Sequence, residues 1–255
     1  MNLTAEQQTL LASIPDPMFR QTTRDFCVNQ QFRKDYWVKG CRTLTALEQA
    51  EALRGQRILL AQPRADVGLK VTGSLGEATL QEAVYGPILD QLADHKPKTL
   101  GQLEQALKAT PSTQSLSFAQ ILQAAMVLSA TGAVQAVQDD AVVQKAKKRT
   151  DRLNVYLMTK ARSSNELSYL ASPVTGGGVT VPRFQQLFLL AKQQGHKHPQ
   201  DWANFVWNIL ALQNQRLVKD GKTLETVEEN LAELTAQASE FAEKQLPILK
   251  ALQIA

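Results

Sequence analysis

The sequence predicts a mainly α-helical protein with short strands, an α+β fold, and two observations indicate this class. Apolar residues recur every three to four positions over long windows, as they do on one face of a helix. Of the 255 residues, 44% are hydrophobic and 20% are charged, which is the composition of an ordinary globular protein. This composition excludes a disordered or collagen-like chain, and the length allows a sizeable core.

The first segment, residues 1–76, is predicted to begin with a helix. Asp16 can cap its N-terminus, Pro17 suits its first turn, and the helix runs from Phe19 to Gln30. Short elements should follow, in this order: a strand over Phe32–Val38, a helix over Thr45–Leu53 that ends at Gly55, and strands over Arg57–Ala61 and Leu69–Thr72.

The second segment, residues 77–144, has the element order of a winged helix, three helices followed by a strand. Thr99 and Ser117 can cap the second and third helices, and Gly132 can stop the third. The expected elements are a helix over Glu77–Asp94, helices opening at Thr99 and at Ser117, and a strand over Val134–Val137.

The third segment, residues 145–255, is predicted to be mainly helical with short strands. One of its helices leads into "LALQNQRLVKDG", much as the last helix of the second segment leads into "LSATGAVQAV", so we expect winged-helix-like units in tandem. The expected elements are strands over Asn154–Met158 and Arg216–Lys219, a turn-interrupted segment over Leu170–Val181, helices over Arg183–Gln193 and from Gln200, and a last helix capped by Thr226 with Glu229.

By themselves, the net charge of +4 and the pI near 9.0 suggest a nucleic-acid partner. The positions of the charges along the chain do not support this partner. Much of the excess lies in Lys145–Arg152, which we interpret as a solvated linker, with contact to phosphate or to an acidic protein as the alternative. Between Lys108 and Lys145 there is no Lys or Arg, so the third helix of the winged-helix unit cannot neutralise phosphates. We therefore expect no nucleic-acid partner there and interpret the unit as a protein-interaction module.

The chain carries no recognisable catalytic motif. The triplet Gly176–Gly178 does not follow a buried strand into a helix, so it is predicted to be a hairpin turn, with a mobile contact loop as the alternative. Cys27 and Cys41 lack metal-ligand spacing and are expected to be core thiols in a reducing compartment. The start lacks a signal peptide and no stretch is long enough to span a membrane, which predicts a cytoplasmic protein.

Five segments, in order, carry a family resemblance: "DPMFRQTTRDFCVNQQFRKDYWV" (Asp16–Val38), "KPKTLGQLEQAL" (Lys96–Leu107), "SPVTGGGVTVPRFQQLFLLAKQQG" (Ser172–Gly195), "FVWNILALQNQRLVKDGKTLET" (Phe205–Thr226) and "LPILKALQIA" (Leu246–Ala255). Together they resemble the C-terminal part of bacterial protein-lysine methyltransferases that contain a methyltransferase regulatory domain. The first resembles the regulatory domain itself, the second the winged-helix domain, and the others the C-terminal end.

The resemblance implies a non-catalytic regulatory and substrate-recognition portion of an S-adenosylmethionine-dependent enzyme. Its Rossmann catalytic domain and cofactor site would lie outside this sequence, so no catalytic, cofactor-binding or metal-binding residue is assigned. The expected partners are a catalytic domain, in cis or in trans, and a protein substrate. The candidate contact residues are Phe32, Arg33, Trp37, Ser172, Thr175, Gly176, Gly177 and Gly178. A winged-helix regulator that binds nucleic acid through Lys145–Arg152 is the alternative.

Overall fold

Two hydrophobic cores share one strand, β1 (Arg57–Leu60). The computed structural model describes residues 3–33, 35, 37–73 and 76–255. Ile58 and Leu60 belong to the first core, whereas Leu59 between them belongs to the second. Successive side chains of a strand point to opposite faces. The sheet that contains β1 therefore separates the two cores, and all three side chains are buried.

Three helices precede this strand, and each begins at a side chain that caps it. The Asp16 carboxylate accepts a hydrogen bond from the Phe19 amide at 2.6 Å, which confirms the predicted cap. Thr4 and Thr45 form capping boxes with the residues three positions on. The helices are α1 (Ala5–Ser13), α2 (Pro17–Cys27) and α3 (Ala46–Arg54).

The first core lies between three helices and an antiparallel sheet of order β4–β1–β5. The predicted caps at Thr99 and Ser117 are confirmed, since both form capping boxes, and Gly132 follows the third helix with a positive φ of 81°. The remaining elements are α4 (Glu82–Leu92), β4 (Lys98–Thr99), α5 (Leu100–Lys108), α6 (Phe118–Ala130) and β5 (Val134–Ala136).

The predicted start of the α4 helix at Glu77 is wrong. Residues Gly76–Thr79 form a strand, β3, that pairs antiparallel with β2 (Lys70–Gly73). The amide and carbonyl groups of this stretch pair with β2, and α4 begins only at Glu82. The helical spacing of the apolar residues from Leu80 onward is genuine, but it does not extend back to Glu77.

One long helix, α7 (Asp140–Lys160), spans two predicted elements. The predicted strand over Asn154–Met158 is wrong. Lys145–Arg152, which we interpret as a solvated linker, is helical with four exposed cations, and its role as a linker stays a prediction. Val143, Asn154 and Met158 lie on one buried face of this helix. Their separations of eleven and four residues match helical turns, and this burial outweighs the local strand preference of valine and tyrosine.

The second core holds an aromatic cluster beneath the C-terminal helices. The Phe241 ring lies 5.7 Å from the Phe188 ring and 6.2 Å from the Trp202 ring, centroid to centroid. The predicted capping box of Thr226 and Glu229 is confirmed. The elements here are β6 (Tyr169–Ser172), β7 (Gly177–Thr180), α8 (Arg183–Gln193), α9 (Pro199–Leu212), β8 (Val218–Lys219), β9 (Lys222–Thr223), α10 (Val227–Glu240), a π-helical turn (Phe241–Gln245) and α11 (Leu246–Ala251).

The predicted mixture of helices with short strands is confirmed, and every strand pair in the described residues is antiparallel. The boundaries after residues 76 and 144 and the tandem arrangement of winged-helix-like units stay predictions. None of the helices in the described ranges is long and apolar enough to cross a membrane.

The side chain of Arg54 fastens α3 to α5. Its Nε donates to the Glu104 carboxylate at 2.7 Å, and its guanidinium lies 4.5 Å from the centroid of the Phe118 ring. Gly101 allows this approach, because a Cβ there would stand 3.3 Å from the Arg54 Cβ. Hydrogen bonds from Arg54 and Lys108 lower the pKa of Glu104 from the usual 4.5.

We predict that E104Q lowers the free energy of unfolding by about 1–3 kcal/mol at pH 7, because a buried charge-assisted hydrogen bond is lost. A carboxyl group whose pKa is lower in the folded state stabilises the fold above its unfolded pKa, and this contribution disappears as the pH falls through the folded pKa. The difference in the free energy of unfolding between E104Q and the wild type should therefore be largest at pH 7 and decrease progressively below pH 4.5.

Urea unfolding at several pH values measures this difference. The control is E51Q, because Glu51 also pairs with Arg54, at 3.0 Å, but is largely exposed. That variant should change stability by less than about 0.5 kcal/mol. An E104Q effect that is equally large at pH 3 and pH 7 would contradict the assignment.

Candidate functional site

Besides Val38, which is 71% exposed, six large apolar side chains near the N-terminus are largely open to solvent. Their exposed fractions lie between 62% and 85%, far above those of core residues. We call them the N-terminal apolar set, which comprises Met18, Phe19, Phe26, Phe32, Trp37 and Leu47. Five of the six lie between residues 18 and 37, and exposed apolar side chains that adjoin one another usually mark a surface that binds another molecule.

Helix α2 contributes half of this set and has no buried residue of its own. Phe19 and Phe26 are seven residues apart and so share one face of the helix. The Arg20 Nε donates to the Ile14 carbonyl oxygen at 2.8 Å, which holds α2 to the end of α1. The helix is thus capped and anchored while its aromatic face stays uncovered by the described residues.

The segment after α2 holds three of the predicted contact residues, Phe32, Arg33 and Trp37. Phe32 and Trp37 are among the most exposed side chains of the protein. Arg33 forms an ion pair with Asp25 of α2, and this hydrogen bond raises the pKa of Arg33. This ion pair ties Arg33, and with it the neighbouring Phe32, to α2.

The predicted strand over residues 32–38 is wrong for the residues that can be assessed. Residues 32, 33, 35, 37 and 38 have no strand assignment, and positions 34 and 36 lie outside the described residues. A strand needs a neighbour to pair its backbone groups, and the described sheets include no such pairing for this segment. The expectation of two core thiols also fails, since Cys27 is half-buried and Cys41 is exposed.

The second group of predicted contact residues forms the β6–β7 turn. The Ser172 hydroxyl is buried, donates to the Leu252 carbonyl oxygen at 2.8 Å and accepts from the amides of Val174 and Thr175 at 3.2 and 3.3 Å. This serine thus fastens the hairpin to the C-terminal helix. The Ser172 side chain therefore has a structural role, which is independent of any contact that the surface of the hairpin makes.

The glycine triplet closes this hairpin, as the sequence predicts. Gly176 has a positive φ of 72°, and a Cβ there would stand 3.0 Å from the Gln138 side chain. Gly177 and Gly178 belong to β7, opposite Ser172 and Ala171, and all three glycines are exposed. No hydrogen bond in the described residues joins this hairpin to the N-terminal apolar set. A contact role for the hairpin stays a prediction.

Two small cavities complete the candidate sites. The first, of about 270 Å³, is lined by Phe184, Phe188 and Phe241 with Asp66 and Lys244 at its rim. The second, of about 260 Å³, lies between α7 and α8. Both fall below the roughly 300–1,000 Å³ of typical ligand pockets. Within the described ranges, no group of three or more His, Cys, Asp or Glu residues is placed to hold a metal ion.

Comparison with known protein families gives a match for the N-terminal segment. Residues 1–39 match a family model described as a predicted methyltransferase regulatory domain. This match covers α1, α2 and five of the six members of the N-terminal apolar set.

The whole chain is similar to a larger protein. It is 38% identical over 254 residues to the uncharacterized protein sll1526 of Synechocystis sp., a match that covers 100% of this chain and 48% of that relative. The chain thus spans about half the length of the curated relative that it matches. No solved structure matches.

Sequence reasoning found Phe32, Arg33 and Trp37 but missed that Met18, Phe19, Phe26 and Leu47 belong with them. Phe19 and Phe26 are seven residues apart, a spacing that usually marks the side of a helix that packs inward. The available signal was that the predicted neighbours of this helix are short and offer few apolar residues to cover it.

Proposed function

We propose that this chain is the non-catalytic regulatory and substrate-recognition part of an S-adenosylmethionine-dependent protein-lysine methyltransferase that works in the cytoplasm. The N-terminal apolar set packs on a catalytic domain, in cis or in trans. The catalytic domain binds S-adenosylmethionine, and the winged-helix-like units help to hold the protein substrate.

One observation supports this proposal above the others: the uncovered apolar residues and the regulatory-domain match occupy the same segment. Five of the six exposed members lie within residues 1–39. Burying one such side chain is worth about 1.5–3 kcal/mol, so burying several of them suffices for a stable contact with another domain. The capped and anchored α2 presents these side chains without needing a partner to fold it.

The absence of cations on α6 supports a protein partner for the winged-helix-like unit. Residues Phe118–Ala130 contain no Lys or Arg, so this helix cannot pair with phosphates as a recognition helix does. The proposed role for this unit is therefore contact with protein surfaces.

The direct test is binding of this chain to the remainder of the Synechocystis relative, expressed as a separate protein without the matched 254 residues. Titration calorimetry should show a complex, and F26S/W37S should weaken it at least about 100-fold, because two aromatic side chains lose their burial. S-adenosylmethionine should bind the other protein and not this chain.

The control variant is L212S/M126S, which removes two apolar side chains that are 85% and 65% exposed but lie outside the N-terminal set. Its affinity should equal that of the wild type. Equal weakening by both variants would refute a specific surface, and binding of S-adenosylmethionine by the isolated chain would refute its non-catalytic role.

A further inference from the structure

Helix α7 carries the entire net charge of the protein. Its sequence contains six of the 28 basic residues and two of the 24 acidic residues, which leaves 22 of each elsewhere. The rest of the chain is therefore neutral overall. The excess positive charge is therefore concentrated on one helix.

Five of the six basic residues of α7 face solvent without an ion-pair partner among the described residues. Lys147 pairs with Asp151, and Asp140 pairs with Arg57 at 2.8 Å, so both acidic residues of the helix are already engaged. The other cations are exposed and form no ion pair within the described residues; they are Lys145, Lys148, Arg149, Arg152 and Lys160. From Lys145 to Lys160 they extend over about 22 Å of helix.

Large apolar side chains lie among these cations. Val142, Leu153 and Tyr156 are 48%, 47% and 58% exposed, and the Lys160 ammonium lies 5.5 Å from the centroid of the Tyr156 ring. Helical spacing puts these residues on the same side of α7 as Lys145, Arg149 and Arg152, opposite the buried Asn154. We call this exposed face, with its five cations and three apolar residues, the α7 ridge.

We propose that the α7 ridge binds an acidic amphipathic segment of a partner protein, one that presents carboxylates together with apolar side chains. Carboxylates would pair with the free cations, and apolar side chains would cover Leu153 and Tyr156. This surface is separate from the N-terminal apolar set, so the inference goes beyond the proposed function and does not depend on it.

The mixture of residues favours a protein over other polyanions. Nucleic-acid interfaces are strongly polar and positively charged, and a phosphate backbone offers nothing to cover valine or leucine side chains. A membrane-binding helix inserts its apolar face into the lipid, but the buried face of α7 already packs in the second core. Arginine and tyrosine at the middle of a patch are typical of protein interfaces.

The test uses synthetic peptides of about 16 residues, a length that matches the ridge. One peptide places glutamate and leucine together on one helical face, and a second replaces the leucines with serine. Fluorescence anisotropy should show that the full chain binds the glutamate–leucine peptide at least about tenfold more tightly than the serine version, a single-stranded oligonucleotide of equal charge or phosphatidylserine vesicles.

Two variants locate the binding. K145Q/R149Q/R152Q should weaken peptide binding at least about tenfold, and L153S/Y156S should remove the preference for leucine over serine. The control K197Q/K222Q/K250Q removes the same charge from other places and should bind as the wild type does, with circular dichroism confirming that each variant is folded.

Tighter binding to the oligonucleotide or to the vesicles would overturn the proposal and assign the ridge to that class of ligand. Equal weakening by the two charge variants would also overturn it, because attraction would then follow net charge alone. Failure here leaves the catalytic-domain contact intact, since that contact is measured with different variants and a different probe.

Discussion

Replacing Phe241 with alanine is expected to lower the free energy of unfolding by about 3–5 kcal/mol, the range for removing a fully buried phenylalanine. The Phe241 ring is buried and contacts the Phe188 and Trp202 rings, which come from two other helices. Its loss opens a cavity where α8, α9 and the π-helical turn meet. Small aromatic shifts cannot refill this space, because interiors are close-packed.

Urea unfolding followed by circular dichroism measures this loss. The control is L212A, since Leu212 is an apolar residue at the end of α9 that is 85% exposed, and this variant should change stability by less than about 0.5 kcal/mol. A loss below about 1 kcal/mol for F241A would show that the aromatic cluster is loosely packed.

Replacing Asn230 with alanine is expected to cost about 2–4 kcal/mol, because buried backbone groups lose their hydrogen-bond partners. The Asn230 side chain is fully buried at the start of α10. Its Oδ1 accepts from the Leu217 amide at 2.9 Å, and its Nδ2 donates to the Leu224 and Thr226 carbonyl oxygens at 2.8 and 2.7 Å. One amide thus holds both ends of the segment that contains β8 and β9.

The matched control is N165A, because Asn165 is exposed in a loop. This variant should leave stability within about 0.5 kcal/mol of the wild type. Hydrogen exchange adds a local measurement: in N230A the Leu217 amide should lose protection more than amides of α5 do. Unchanged protection at Leu217 would contradict the assigned role of Asn230.

The elements that sequence reasoning placed well are those with local chemical signals. Asp16, Thr99, Ser117 and Thr226 each cap the helix that they were expected to cap, because capping depends on a side chain and an amide three positions away. The glycine hairpin is of the same kind, since a positive φ at Gly176 is a local requirement.

The incorrect predictions share a different cause, because contacts with residues distant in sequence determine the structure at these positions. Asn154 was expected in a strand, but its side chain accepts from the Ala171 amide at 2.7 Å and donates to the Ala171 carbonyl oxygen at 2.8 Å, and so binds β6 from a helix. Phe32–Val38 has strand propensity, but none of the strands in the described residues pairs with it. The exposure of the N-terminal apolar set could not be predicted from the sequence either, because a helical pattern shows which residues share a face and not what covers that face.

The sharing of β1 by both cores links the stabilities of its two sides. When either core unfolds, the strand loses packing on one face, so the remaining core is left with an uncovered sheet. Melting should therefore be cooperative across the sheet, and a molecule that binds only one side should stabilise both. A partner that binds the α7 ridge would in this way protect amides of α4 and α5, which it never touches.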